Sequence, residues 1–94
     1  MHVRVVRFTD VSADRIDSVA TRIKESGGPP EGVPSTGIQL LFDESQGTAV
    51  VLQFYDTVED LEAGERVLGA MDASETPGTR ASVDKCELKV DLHA

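Results

Sequence analysis

Apolar positions along this chain follow two periods, and their order predicts the secondary structure. A period of two is typical of a strand, and a spacing of i, i+3, i+4, i+7 is typical of an amphipathic helix. The predicted elements are a strand at 2–8, a helix beginning after Ser12, strands at 38–42 and 48–55, a helix beginning after Thr57, and a strand that begins after residue 79 and runs to the end of the chain.

Each predicted helix has a start signal and an apolar stripe. Ser12 and Thr57 stand where a helix N-cap is expected, and the glycines and prolines at 27–30 predict a firm end to the first helix. The stripe of the first helix consists of Ile16, Val19, Ala20 and Ile23, and that of the second consists of Leu61, Gly64, Leu68 and Met71.

The strands indicate an α+β class of fold, with a four-stranded antiparallel sheet and two helices on one face. A short polar connection at 43–47 makes a hairpin of the two middle strands, and the Gly- and Pro-rich segments 28–37 and 74–79 are predicted loops. We expect a single domain over 1–94. The face under the helices is expected to contain Ile38, Leu40, Phe42, Val50, Leu52 and Phe54.

The far face of the sheet would then keep several apolar side chains without a cover. These are Val6, Phe8, Leu41, Ala49, Val51 and Tyr55. A contiguous apolar patch on a small protein usually marks an interface or a ligand groove. We therefore expect a homodimer formed by packing of two sheets about a two-fold axis.

Composition narrows the choice of partners and compartment. Seventeen acidic and nine basic residues give a net charge of −8, which disfavours binding to nucleic acid or to an anionic membrane surface. The single cysteine, Cys86, excludes an internal disulfide, and the amino-terminal residues contain no long apolar run. These features favour a cytoplasmic location.

The βαββαβ order and one local stretch resemble a known family. That stretch runs from Phe42-Asp43 to Gly47, continues through Val50-Val51-Leu52-Gln53-Phe54-Tyr55 and ends in Thr57-Val58-Glu59-Asp60-Leu61. It is similar to the dimeric α/β-barrel proteins related to the antibiotic biosynthesis monooxygenases (ABM-like proteins). The resemblance implies a ferredoxin-like fold that dimerises into a barrel.

Several activities occur among the proteins that the chain resembles. They include cofactor-independent oxygenases of aromatic polyketides, haem-degrading enzymes, decarboxylases, isomerases and proteins without a known activity. The Trp, Asn and His set of the haem-degrading branch has no counterpart, since the chain lacks Trp and Asn and its histidines, His2 and His93, lie near the termini. We expect no cofactor and no metal.

Similarity to that family would place a ligand pocket between the sheet and its helices or its partner. The polar candidates there are Arg4, Gln39, Gln53 and Tyr55. Arg4 can fix a carboxylate or phenolate, Tyr55 can donate a hydrogen bond or a proton, and the glutamines can orient a carbonyl. The competing interpretation places Arg4 and the glutamines at a wet dimer interface and Tyr55 in packing at a strand end. Cys86 is interpreted as a small apolar core residue.

Two classes of function stay open at this point. The first is a cofactor-independent monooxygenase or related enzyme that acts on a hydrophobic or aromatic small molecule. The second is a non-catalytic module that binds a small molecule or mediates oligomerisation. The absence of a central histidine and of an activated nucleophile favours the second class, and the family resemblance favours the first.

Overall fold

The computed structural model describes residues 1–71 and 76–93, which form a βαββαβ chain in the predicted order. The elements are β1 (His2–Thr9), α1 (Ala13–Ser26), β2 (Gly37–Asp43), β3 (Thr48–Tyr55), α2 (Val58–Leu68) and β4 (Thr79–Glu87). The strands lie in the order β2-β3-β1-β4, and neighbouring strands are antiparallel. This topology fits a ferredoxin-like α+β fold.

Both helices begin at the predicted caps. The Ser12 hydroxyl accepts a hydrogen bond of 3.1 Å from the Arg15 amide, and the Thr57 hydroxyl accepts one of 3.1 Å from the Asp60 amide. Each bond satisfies an amide that has no partner within its own helix. Gly27 ends α1 with a φ of 69°, a left-handed conformation that glycine adopts without steric cost.

The register of the sheet corrects the predicted assignment of faces. Val6 of β1 lies opposite Val51 of β3, and Val51 lies opposite Leu40 of β2. The sequence prediction instead placed Val50 and Leu52 of β3 on the same face as Leu40, under the helices. The observed partner of Leu40 is Val51, one residue away from each of them. A shift of one residue moves a whole strand to the other face, so the predicted faces of β1 and β3 are interchanged.

The helix-covered face contains the core. One cluster joins the sheet to the start of α1, and a second joins the end of β3 to α2 and the loop at 28–36. The buried members of the first are Val6, Phe8, Val11, Ile16 and Ala49, and those of the second are Val33, Tyr55, Leu61 and Leu68. Four of the residues predicted to be uncovered (Val6, Phe8, Ala49 and Tyr55) are therefore among the most buried in the chain.

The opposite, open face of the sheet is apolar along its middle. Its residues follow the other parity of each strand. The apolar ones are Val3, Val5, Leu41, Val50, Leu52 and Phe54, and the polar residues Arg7 and Gln39 lie next to Val50 and Leu52. Leu41 is 51% exposed, whereas Val3, in the central strand, is 7% exposed. An apolar face of the sheet thus exists as predicted, but only Leu41 of the predicted residues belongs to it.

The carboxyl-terminal strand is shorter than its alternating pattern predicts. β4 ends at Glu87, and the Leu88 amide adds one further hydrogen bond of 2.9 Å to the Met1 carbonyl. Beyond it, Val90 and Leu92 are 71% and 88% exposed because no neighbouring strand accompanies them. Ser74 and Glu75 of the predicted loop, and Ala94 of the predicted strand, lie outside the described residues.

Cys86 is not a core residue. It lies opposite Val3 on the open face of β4, the edge strand of the sheet, and it is exposed. The prediction was wrong because it relied on the apolar alternation of Cys86 with Leu88, Val90 and Leu92. The last three of these residues lie past the end of the strand.

Within the described ranges, no helix has the length and apolar character that a membrane span requires.

Candidate functional site

A cavity of about 720 Å³ separates the covered face of the sheet from α1. α1 packs on the sheet through Ile16 near its start, while Val19 and Ile23, one and two turns further on, line the cavity. The remaining apolar lining comes from the sheet, α2 and the connecting segments, and consists of Val6, Phe8, Pro29, Pro30, Ile38, Val51, Leu68, Met71 and Pro77. A cavity of this volume lies in the range typical of small-molecule sites.

Arg4 supplies a buried cation to the wall of this cavity. Its position on β1 puts it opposite Gln53 of β3, and its side chain is 5% exposed. The guanidinium donates through Nε to the Glu65 carboxylate of α2 and through Nη1 to Gln53 Oε1, at 3.3 Å for the latter. A buried guanidinium requires such partners, because an unpaired charge in the interior is strongly unfavourable.

Glu65 belongs to the apolar stripe of α2, four residues after Leu61 and three before Leu68. Its side chain keeps 29% exposure and so remains partly hydrated while it pairs with Arg4. The ion pair ties α2 to β1 and neutralises the charge of Arg4. Sequence reasoning missed this residue, although a carboxylate within an apolar stripe indicates a partner on the surface beneath.

Tyr55 lies beside this pair at the end of β3 and is completely buried. Its hydroxyl has no hydrogen-bond partner within the described part of the chain. Burial raises the pKa of Tyr55; the positive charge of Arg4 opposes that shift, and the negative charge of Glu65 adds to it. A Cβ at Gly64 would stand 2.8 Å from Tyr55 Cζ, so only glycine lets α2 lie this close to the ring.

Two further arginines line the cavity and were not among the predicted candidates. Arg22 lies on α1 and Arg80 lies at the start of β4, and both are exposed to solvent. Arg80 donates a hydrogen bond of 3.2 Å from Nη2 to the Gly69 carbonyl. On sequence alone Arg22 is part of a solvated helix face and Arg80 part of a loop boundary, so neither suggests a site.

The four predicted candidates are divided between the two faces of the sheet. Arg4 and Gln53 line the cavity and are hydrogen-bonded to each other, and Tyr55 is buried next to Arg4. Gln39 lies opposite Leu52 on the open face and is exposed, so it does not join the other three. Of the predicted apolar neighbours, Val6 and Val51 line the cavity and Leu41 does not.

The other polar clusters of the described residues are less suited to hold a ligand. A smaller cavity of about 250 Å³ lies at the β2–β3 hairpin, where Asp43 accepts hydrogen bonds from Ser45 and Gln46. These bonds, that from the Ser45 hydroxyl foremost, lower the pKa of Asp43 and brace the turn. His93 pairs with Asp91 at 2.9 Å, and the described residues contain no group of three potential metal ligands.

Comparison with known proteins gives no relative. No protein-family model matches the chain, and no curated protein or solved structure is significantly similar to it.

Proposed function

We propose that this protein binds a small hydrophobic or aromatic molecule in the cavity between the sheet and α1. The observation that supports the proposal is the cavity itself, about 720 Å³ with an apolar lining and a fixed polar group, Arg4 with Gln53, in its wall. Apolar walls supply affinity for such a ligand, and a few placed polar groups supply its orientation.

Binding without catalysis is the better-supported form of this function. Among the described residues that line the cavity there is no His, Cys, Asp or Glu that could serve as a general base or nucleophile. Glu65, which contacts the lining residue Arg4, is engaged in an ion pair with it. The protein is then a small ferredoxin-like binding module.

A pair of substitutions on adjacent residues tests the cavity. Val51 lines it, and Val50 lies on the open face. We expect Val51→Trp to fill the space and to weaken binding of the neutral fluorescent probe N-phenylnaphthylamine by at least about tenfold, since a bound ligand would lose most of its buried surface. The matched control Val50→Trp adds the same side chain outside the cavity.

Fluorescence titration with N-phenylnaphthylamine measures the dissociation constants of the wild type and of both variants. Equal binding by Val51→Trp and the wild type would contradict the placement of the site. Native mass spectrometry of the purified wild type complements it, because a retained compound appears as extra mass on the folded protein and identifies the chemical class of the ligand.

The second candidate is a cofactor-independent monooxygenase or related ABM-like enzyme. One observation favours it: the Arg4 guanidinium in the cavity wall, although its charge is paired with Glu65, is a hydrogen-bond donor for the phenolate or enolate anion that such a substrate must form before it reacts with oxygen. Oxygen uptake by the protein in the presence of the retained compound tests this candidate. Unchanged oxygen levels with the compound bound would leave the binding function alone.

We also propose that two copies associate through their open faces into a dimeric α/β barrel. The apolar middle of that face, formed by the six residues named above, is what favours this arrangement. An antiparallel sheet tolerates one hydrated face, but that face is then usually polar. A second copy related by a two-fold axis would present the same apolar patch and would leave the cavity on the outer side of each sheet.

A further inference from the structure

We propose that the ligand of the cavity carries an anionic group, and that Arg22 and Arg80 bind it. The inference rests on the proposed function, because it requires that the cavity hold a ligand. It specifies the chemistry of that ligand as an amphiphile with one carboxylate or similar anion and a hydrophobic body.

The described lining of the cavity has a charge opposite to that of the protein. The chain has a net charge of −8, yet the charged residues among the described lining are Arg4, Arg22 and Arg80, without a carboxylate. Glu65 neutralises Arg4. Two positive charges, those of Arg22 and Arg80, are left for a ligand, and neither forms an ion pair within residues 1–71 and 76–93.

The position of Arg80 depends on an irregularity in β4. The ladder between β1 and β4 pairs Arg7 with Ser82 and then Phe8 with Arg80, so that Ala81 is an extra residue. In an uninterrupted ladder Ala81 would face Phe8, and Arg80 would face Thr9 on the other side of the sheet. The bulge places Arg80 on the covered face instead, and bulges next to binding sites commonly redirect a side chain in this way.

Arg80 is also held in place. Its Nη2 atom donates to the Gly69 carbonyl at the end of α2, at 3.2 Å, which leaves the other guanidinium nitrogens for an acceptor. A guanidinium presents donors in a planar fork that matches the two oxygens of a carboxylate. Arg22 reaches the same cavity from α1, and Ile23, Val51 and Met71 provide the apolar wall for the rest of the ligand.

Two fluorescent probes that differ only in charge test this inference. Anilinonaphthalene sulfonate is the sulfonated form of N-phenylnaphthylamine, so the ratio of their dissociation constants isolates the contribution of the anion. We expect the sulfonate to bind at least about fivefold more tightly at low salt, and the preference to fall as the salt concentration rises. Arg22→Gln and Arg80→Gln should each reduce the preference by about threefold, and the double variant should abolish it.

A matched control and the neutral probe separate the possible failures. Arg66→Gln removes the same charge from an exposed site on α2 that does not line the cavity, and it should retain the preference. Equal affinity for both probes, with both lost in Val51→Trp, would overturn the anionic ligand and leave the cavity function intact. A loss of preference in Arg66→Gln as large as in Arg80→Gln would also overturn it. Failure of both probes to bind would overturn the proposed function and this inference together, whereas binding of the neutral probe alone would overturn only this inference.

Discussion

Tyr55 is the residue whose environment departs most from that of an ordinary side chain. It is the only tyrosine of a chain without tryptophan, it is fully buried, and its hydroxyl lacks a partner among the described residues. Burial raises its pKa above the ordinary value of 10.0 because the phenolate would be formed away from water. The absorbance of the protein at alkaline pH therefore reports this one site.

We expect the native protein to form phenolate at a higher pH than the urea-unfolded protein does, because burial raises the pKa of Tyr55. Since the folded state raises the pKa, the fold favours the neutral phenol, and this contribution to stability is complete below the unfolded pKa and is lost as the pH rises through the folded one. Near-ultraviolet absorbance titration of the native and unfolded protein measures the difference.

Tyr55→Phe is the control for this titration. It removes a buried hydroxyl without a described partner, so its free energy of unfolding at neutral pH should equal or slightly exceed that of the wild type. Its stability should also fall less steeply above pH 10.0. Phenolate formation in the native protein at or below the pH observed in urea would show that Tyr55 is hydrated and refute the expectation.

At the residue scale, polar side chains that interrupt an apolar face were the predicted ligand-binding candidates, and their role in binding stays a prediction. Arg4 and Gln53 were chosen on that criterion and are hydrogen-bonded in the cavity wall. Gln39 met the same criterion but lies on the open face, since the criterion does not say which face of its strand is covered. Arg22 and Arg80 could not be found in this way, because only the tertiary position of α1 and the bulge of β4 bring them to the cavity.

At the scale of elements, the Arg4–Glu65 pair links α2 to the central strand, and its two members differ in burial. The Arg4 side chain is 5% exposed and that of Glu65 is 29% exposed. We expect Glu65→Ala to lower the free energy of unfolding by about 3 kcal/mol, because it leaves a buried guanidinium with Gln53 alone. Arg4→Met should lower the free energy of unfolding by less, since the Glu65 carboxylate that loses its partner can be hydrated by solvent.

Urea unfolding at one fixed protein concentration measures both variants. Glu62→Ala, which removes an exposed carboxylate from the same helix, is the control and should lie close to the wild type. A greater loss in Arg4→Met than in Glu65→Ala would contradict this account of the pair.

The elements themselves were predictable, and their faces were not. Caps and periods located all six elements to within a residue or two, apart from the end of α2, whose predicted stripe extends to Met71, and the end of β4. The predicted assignment of faces was wrong at β1 and β3 because both sides of these central strands are apolar. In β1, for example, Val3 and Val5 lie on one side and Val6 and Phe8 lie on the other. Alternation assigns a face only when one side of the strand is polar.

At the scale of the whole molecule, the proposed dimer and the cavity use opposite faces of one sheet, so they can be disrupted separately. Leu52 lies in the middle of the open face, between Val5 and Gln39. We expect Leu52→Glu to convert the dimer to a monomer, because two like charges would meet near the two-fold axis in an apolar interface. Sedimentation analysis measures the change.

Val58→Glu is the matched control for this substitution, since it places the same charge at an exposed apolar position on α2. It should remain dimeric. N-phenylnaphthylamine binding by Leu52→Glu should persist, because the cavity lies on the other side of the sheet. A wild type that sediments as a monomer would refute the proposed barrel.

The family resemblance implied a pocket beside the sheet, but the volume of the cavity could not be derived from the sequence, for a reason that belongs to the whole molecule. The stripe of α1 predicts that Ile16, Val19 and Ile23 all face inward, and they do, but only Ile16 reaches the core cluster. The distance between a helix and the sheet beneath it depends on how the loops at both ends are anchored, and no periodicity in the chain encodes that distance.

One wall of the cavity is built from the loop between α1 and β2, and this has an evolutionary consequence. The loop is anchored by the buried Val33 and by the Thr36 amide, which donates to the Phe54 carbonyl at 2.7 Å. Pro29 and Pro30, which precede the first anchor, and Ser35, which lies between the two, contribute lining to the cavity. Mutations there can reshape the binding space at little cost in folding stability, so homologues are expected to diverge in ligand preference through this segment while the sheet and α2 stay constant.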